Sequence, residues 1–187
     1  MSEQRLERHL RGLEKKTGAV LDDLEGWRAG DLVLSSSGSD WAALDVVEHL
    51  MMTDGAVLRV MRKNLQEGGR KVGIADGLRS FLVLGIMLAP TRVRIPAQVR
   101  FLEPTGVRKE LGEIREEWAA QQRELREFVR GLSPAEGKAG IFKHPVGGWT
   151  TAAGALVFLR AHMHHHGYQI ERIQKALARR SESRGRE

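Results

Sequence analysis

Apolar residues recur every three or four positions along four long stretches of the chain, with charged residues between them. Leu6, Leu10, Leu13, Thr17, Val20, Leu24 and Trp27 alternate steps of four and three, the seam of a bundle helix, and predict a first helix over residues 3–28. Gly30-Asp31 and the run Ser35-Ser36-Ser37-Gly38-Ser39-Asp40 read as a polar connection, with Asp40 or Ser39 placed to cap the next helix. That second helix starts near Trp41 and runs to about Gln66. Its apolar residues (Leu44, Val46, Val47, Leu50, Met51, Val57, Leu58, Val60, Met61, Leu65) cover more than one stripe, so it should be buried on several sides.

Glu67-Gly68-Gly69 ends the second helix, and residues 70–105 read as an insertion. It holds a short apolar helix near Asp76–Ala89, followed by an extended basic segment broken by Pro90, Pro96 and Pro104. A third long helix spans Gly106–Gly131, with Leu111, Ile114, Trp118, Leu125, Phe128 and Leu132 on one face and a stop at Gly131 and Ser133-Pro134. Residues 133–148 read as a loop. The last helix carries the seam Leu156, Leu159, Met163, His166, Ile170, Ile173 and Leu177. With no alternating strand pattern, the fold class is all-α, a four-helix bundle with a long insertion between helices two and three. One domain covers 1–180, and the apolar-free tail 181–187 should be disordered.

Composition narrows the chemistry. At 187 residues, 41% hydrophobic and 29% charged, the chain suits one globular domain. It has no cysteine, which excludes disulfides, thiolate metal sites and cysteine nucleophiles, and leans towards an intracellular, cytoplasmic protein. The charged N-terminus carries no signal segment, and the longest apolar run, Phe81–Ala89, is short of the roughly 20 residues that span a bilayer, so no membrane partner is expected. The net charge of +6 is concentrated in Arg70, Lys71, Arg79, Arg92, Arg94, Arg100, Arg108 and Lys109, against Asp76 and Glu103 in the same stretch. No aromatics interleave with these cations as a base-stacking surface requires, which favours a solvated, arginine-rich face over a nucleic-acid surface, with an anionic small molecule as the alternative partner.

Four of the seven histidines fall in Arg160-Ala161-His162-Met163-His164-His165-His166-Gly167-Tyr168-Gln169-Ile170. On a helix His162 and His166 share a face with Gln169 beside them, a spacing that can grip a divalent transition metal if another ligand arrives from elsewhere. His9 near the N-terminus and His144 before a proline are alternatives. His49, inside the apolar run of the second helix, is the best placed, because an inward histidine needs a partner. Asp45, four residues earlier, is a candidate to fix the His49 tautomer, whereas the bland reading leaves His49 as a hydrogen-bonded core histidine.

The motifs Trp41-Ala42-Ala43-Leu44-Asp45-Val46-Val47-Glu48-His49-Leu50, His144-Pro145-Val146-Gly147-Gly148-Trp149-Thr150 and His162 through His166 with Gln169-Ile170 resemble, in that order, those of the DinB-like superfamily. The resemblance implies an up-down-down-up bundle, frequent homodimers, and a metal held by His49, His162 and His166. His165 and Gln169 match the family's ending without being expected ligands, and His164 matches nothing. Activities assigned in the superfamily are metal-dependent thiol S-transfer with a low-molecular-weight thiol, and hydrolysis, so a small-molecule substrate is implied. Zinc or nickel leads among the metals, although imidazole also suits copper and iron. A metal-stabilised binding or regulatory bundle without turnover is the alternative, and fold alone does not decide between the two.

Overall fold

A computed structural model describes residues 3–35, 41–89, 97–106 and 109–184. Its helices are α1 (Glu3–Glu25), the single turn α2 (Ala29–Leu32), α3 (Ala43–Gln66), α4 (Ile74–Leu88), α5 (Leu111–Arg130) and α6 (Ala152–Arg184). Four of them, α1, α3, α5 and α6, form a bundle.

Side-chain pairs between helices fix their directions. Arg115 near the start of α5 meets Asp22 at 2.9 Å and Glu25 at 2.8 Å near the end of α1, while Arg126 reaches back to Glu7 and Glu14, so α1 and α5 are antiparallel. α3 runs parallel to α5, with Asp54 against Trp118 and Arg62 against Glu124. α6 runs parallel to α1, with Arg160 beside His9 and Met163 beside Thr17. The order is up-down-down-up, and the two helices pointing down must be joined by a crossover.

The first helix ends three residues earlier than its periodicity suggests. Gly26 and Trp27 close a turn on Asp23 and Leu24, and Leu32 of α2 is buried. Along α1 the seam shifts from Val20 to Leu21, the drift expected when 3.6 residues per turn meet a strict four-three repeat. The expected caps Ser39 and Asp40 lie outside the described residues; the N-cap of α3 is Ala42, whose N–H donates to the Asp45 carboxylate at 2.8 Å. α5 starts at Leu111 rather than Gly106, where Glu113 accepts from the Glu110 N–H.

α3 is buried on several sides: Leu44, Val46, Val47, Leu50, Met51, Val57, Leu58 and Met61 all join the core. Its apolar surplus is consumed within the chain against α5, α6 and a hairpin, as the several-sided burial expected of it requires. The large exposed apolar residues belong instead mostly to α4, where Ile74, Leu78, Phe81, Leu82, Ile86 and Leu88 are at least half exposed.

The loop expected over 133–148 contains a two-stranded antiparallel hairpin, β1 (Phe142–His144) and β2 (Gly148–Thr150). Three-residue strands are too short to show alternation in sequence. Gly148 is obligatory there: its φ is +75°, and a Cβ would sit 2.5 Å from the Asp76 carboxylate, which accepts from the Trp149 N–H and ties α4 to the hairpin. Between α4 and α5, residues 97–102 form a short 3₁₀ segment kinked at Val99, with Leu102 buried; residues 90–96, including Pro90, Pro96, Arg92 and Arg94, lie outside the described residues, as does Arg108.

α6 continues to Arg184, past the boundary expected at 180. Ser181 and Ser183 in these last turns donate to the carbonyls of Ala178 and Arg180. Residues 185–187 lie outside the described residues.

Candidate metal centre

α3 and α6 cross antiparallel with His49 facing His162 and His166. Four residues separate the two α6 histidines, one helical turn, so both project from one face. His162 Nε2 lies 3.2 Å from His49 Nε2 and 3.1 Å from His166 Nε2, and one ligand atom from each of the three falls within 4.8 Å of the others. All three side chains are buried, at 3, 9 and 7% exposure for His49, His162 and His166.

The outer ring nitrogens decide what the inner ones can do. His49 Nδ1–H donates to the Leu102 carbonyl at 2.7 Å, and His166 Nδ1–H donates to the Gln169 side-chain oxygen at 2.8 Å. Each ring, being neutral, therefore turns an Nε2 lone pair inward. His162 can supply a proton to only one of these two. At least one inward lone pair thus meets another nitrogen with no proton between them, an arrangement that a cation resolves. The donor set fits a divalent transition ion: three nitrogens, two of them oriented by an outer acceptor.

Electrostatics keep the rings neutral, as ligation requires. Burial lowers the His49 pKa against an opposing hydrogen bond to Leu102. Burial, followed by the neighbouring His166 and His49, holds His162 well below the usual histidine range. His166 is pushed down to about 3, chiefly by burial and next by His49.

Two aromatic rings flank the cluster. Trp41 stands 5.0 Å from the His49 ring and stacks on His166 at 6.2 Å with 12° between planes, and Phe158 stacks on His162 at 5.5 Å and 21°. Beyond Trp41 opens a cleft of about 410 Å³ lined by Trp41, Asp45, Pro104 and Gly106. Among the described residues no fourth histidine or carboxylate joins the three.

The other candidates divide. Gln169 sits against His166, in reach of the tautomer it would set. Asp45 does not touch the His49 ring; its carboxylate points back to the helix start, where the free Ala42 N–H is the nearer donor, and Leu102 takes the expected role. His165 lies neither at a rim nor on an outer surface: it is 7% exposed, edge-on to His166 at 5.3 Å, with a hydrogen bond to the Ala89 backbone and a buried Nδ1 that has no partner among the described residues. His164 packs edge-on against Tyr168, and His9 contacts Arg160. His144 caps the hairpin turn, its Nδ1 accepting from the Val146 and Gly147 N–H groups, and burial lowers its pKa to about 4. Of the basic stretch, Arg70 lies over the Trp149 ring at 5.1 Å and Lys109 pairs with Glu117 at 2.6 Å.

Sequence reasoning missed three groups. Leu102 acts through its backbone, which no residue type announces. Trp41 could have been found from its place eight residues, about two helical turns, before His49. Asp54 is fully buried on α3 and accepts from Trp118 Nε1 at 2.7 Å; burial raises its pKa to about 7, against the Trp118 and Gln122 hydrogen bonds.

The family model of the DinB superfamily matches residues 3–170. Among solved structures, the fold is similar to that of YfiT from Bacillus subtilis, described as a probable metal-dependent hydrolase with an unusual four-helix bundle topology. The two share 17% identity over 97% of this chain and 90% of that one, with a TM-score of 0.57. A comparison with curated proteins finds no match.

Proposed function

Because the chain belongs to the DinB superfamily, we propose that it is a metal-dependent hydrolase of a small-molecule substrate, with His49, His162 and His166 as the metal ligands. The observation that carries this reading is the convergence of three buried, neutral imidazoles with no fourth protein ligand among the described residues, beside a cleft. Three ligands with room for a fourth group is the pattern of catalytic sites; structural sites are closed by four. The similarity in fold to a probable metal-dependent hydrolase supports the same direction.

When bound, a divalent ion supplies Lewis acidity that lets a water lose a proton near neutral pH. Residues of the chain do the rest. The Leu102 carbonyl and Gln169 amide oxygen hold His49 and His166 in the tautomer that presents Nε2. Trp41 and Phe158 shield the imidazoles from bulk water on two sides, which keeps them uncharged and strengthens electrostatic interactions inside. The cleft beyond Trp41, with Asp45 and Pro104 on its wall, is where the substrate would approach. Among the described residues no histidine or carboxylate outside the three ligands joins the cluster as a ready general base, so the ion's effect on the nucleophile is the main contribution expected.

Elemental analysis of tag-free protein, with His49→Ala and His162→Ala beside it, tests the ligand set. About one transition ion per chain, lost in both variants, supports it; an ion retained in both, or none in the parent after reconstitution with zinc or nickel, defeats it. Loaded protein is then assayed against ester and amide substrates with and without a low-molecular-weight thiol. Turnover only with thiol would replace hydrolysis by thiol S-transfer, and metal without turnover would leave a metal-stabilised binding bundle.

A further inference from the structure

A second cavity, of about 290 Å³, lies between α4, the hairpin and the first turns of α6. Its walls are mainly apolar, from Val83 and Leu84 of α4, Phe142 of β1, and Val157 and Phe158 of α6. Phe158 is the same ring that stacks on His162, so the cavity and the histidine centre share one aromatic wall.

The polar groups of the lining are selective in kind. Arg5 is its one charged side chain, and no carboxylate lines it. His144 lines it too, and with Nδ1 already accepting two backbone N–H groups, the hydrogen-bonding group left on its neutral ring is the Nε2–H donor. Ser80 donates to the Gly147 carbonyl and Thr151 Oγ1 accepts from the Gly154 N–H, while Thr150 adds a hydroxyl that can also donate. Outside the cavity Arg8 and Arg160 gather with Arg5 around His9, and among the described residues none of these arginines has an ion pair. A site with a mainly apolar lining, hydrogen-bond donors and uncompensated positive charge calls for an apolar molecule ending in an anionic acceptor.

We propose that this cavity binds a single-chain carboxylate, its hydrocarbon held by Val83, Val157 and Phe158 and its carboxylate by Arg5 and the His144 Nε2–H. Benzene fills a cavity of about 150 Å³, so the space here corresponds to a chain on the order of ten carbons. The assignment does not depend on the metal reading, because no metal-ligand atom lines the cavity.

Isothermal titration of the full-length protein with decanoate, 1-decanol and decyltrimethylammonium tests it, in the parent and in His49→Ala, which leaves the lining intact. Decanoate should bind once per chain, at least tenfold more tightly than decanol, with no binding of the cation and no change in His49→Ala. Arg5→Gln should weaken decanoate about tenfold and leave decanol unchanged. Val157→Trp should abolish both; if circular dichroism shows that this variant is unfolded, Leu84→Trp fills the same space from the opposite wall. Equal affinity for decanoate and decanol, or indifference to Arg5→Gln, overturns the proposal. So does multiple binding that survives cavity filling, which would assign the hydrocarbon to the exposed face of α4.

Discussion

Two clusters of buried polar side chains share the bundle interior, five residues apart on α3, and they are built on opposite principles. Around Asp54, acceptors meet donors: Trp118 Nε1 donates to the carboxyl oxygen, and Gln122 donates to Thr17, whose hydroxyl reaches the Leu13 carbonyl. Around His49, acceptors meet acceptors, because outer hydrogen bonds leave lone pairs directed inward. The first is complete without a ligand. The second is left in deficit of positive charge, and that deficit marks a functional site where burial alone, common to both, does not.

The comparison can be broken most severely at the histidines. His162→Ala should lower metal content from about one ion per chain to less than a tenth, read by mass spectrometry, and abolish the rise in Tm that the metal confers on the parent, while leaving Asp54 and Trp118 in place. Next in size, Gln169→Leu should keep all three ligands but weaken metal affinity about 10–100-fold in competition with a chelator, since the His166 tautomer loses its outer acceptor. Unaltered affinity would show that Gln169 merely fills space.

At the other cluster, Trp118→Phe should destabilise the protein by about 1–3 kcal/mol in urea unfolding by removing one of the donors to a buried carboxyl, with metal stoichiometry unchanged. The smallest effect is in pH dependence. Asp54 has a folded pKa raised to about 7, so the folded state keeps a proton that the unfolded chain has lost; this contribution is full below the ordinary carboxyl value of 3.8 and disappears as pH rises through 7. His144, pushed down to about 4, acts oppositely, its contribution being lost as pH falls from 6.5. Asp54→Asn should therefore gain on the parent in thermal stability progressively from pH 4 to 7, by a few degrees at the upper end. A constant difference across that range would mean that Asp54 is charged when folded.

What could be read from sequence followed periodicity. His162, His166 and Gln169 are spaced by four and three on a helix whose seam is otherwise apolar, and His49 lies in an apolar run, so an interior position for them is legible from spacing alone. Gln122 stands at the same seam spacing, four after Trp118 and three before Leu125, but a template for apolar residues passes over it. Asp45 stands one helical turn before His49 in sequence, yet proximity along a helix does not rank its options, and the unsatisfied N–H at the helix start prevailed. Leu102 was out of reach: its side chain says nothing of its carbonyl, and the segment 97–102 has no period from which to place it. The hairpin was hidden for a related reason, being held by a glycine turn and the Asp76 carboxylate more than by any pattern of its own.

His49 and His162 are 113 residues apart in the chain, and the helices that carry them are the second and last of the bundle. Closing so long a loop costs conformational entropy before any contact across it can contribute, which places this junction among the later events of folding. Ions present during synthesis would meet His162 and His166 as a two-nitrogen site on an isolated helix and lack the third ligand until α3 has docked. On the proposed ligand set, full coordination would report that the chain has finished folding, and a variant that slows the docking of α6 should delay metal uptake by the same factor.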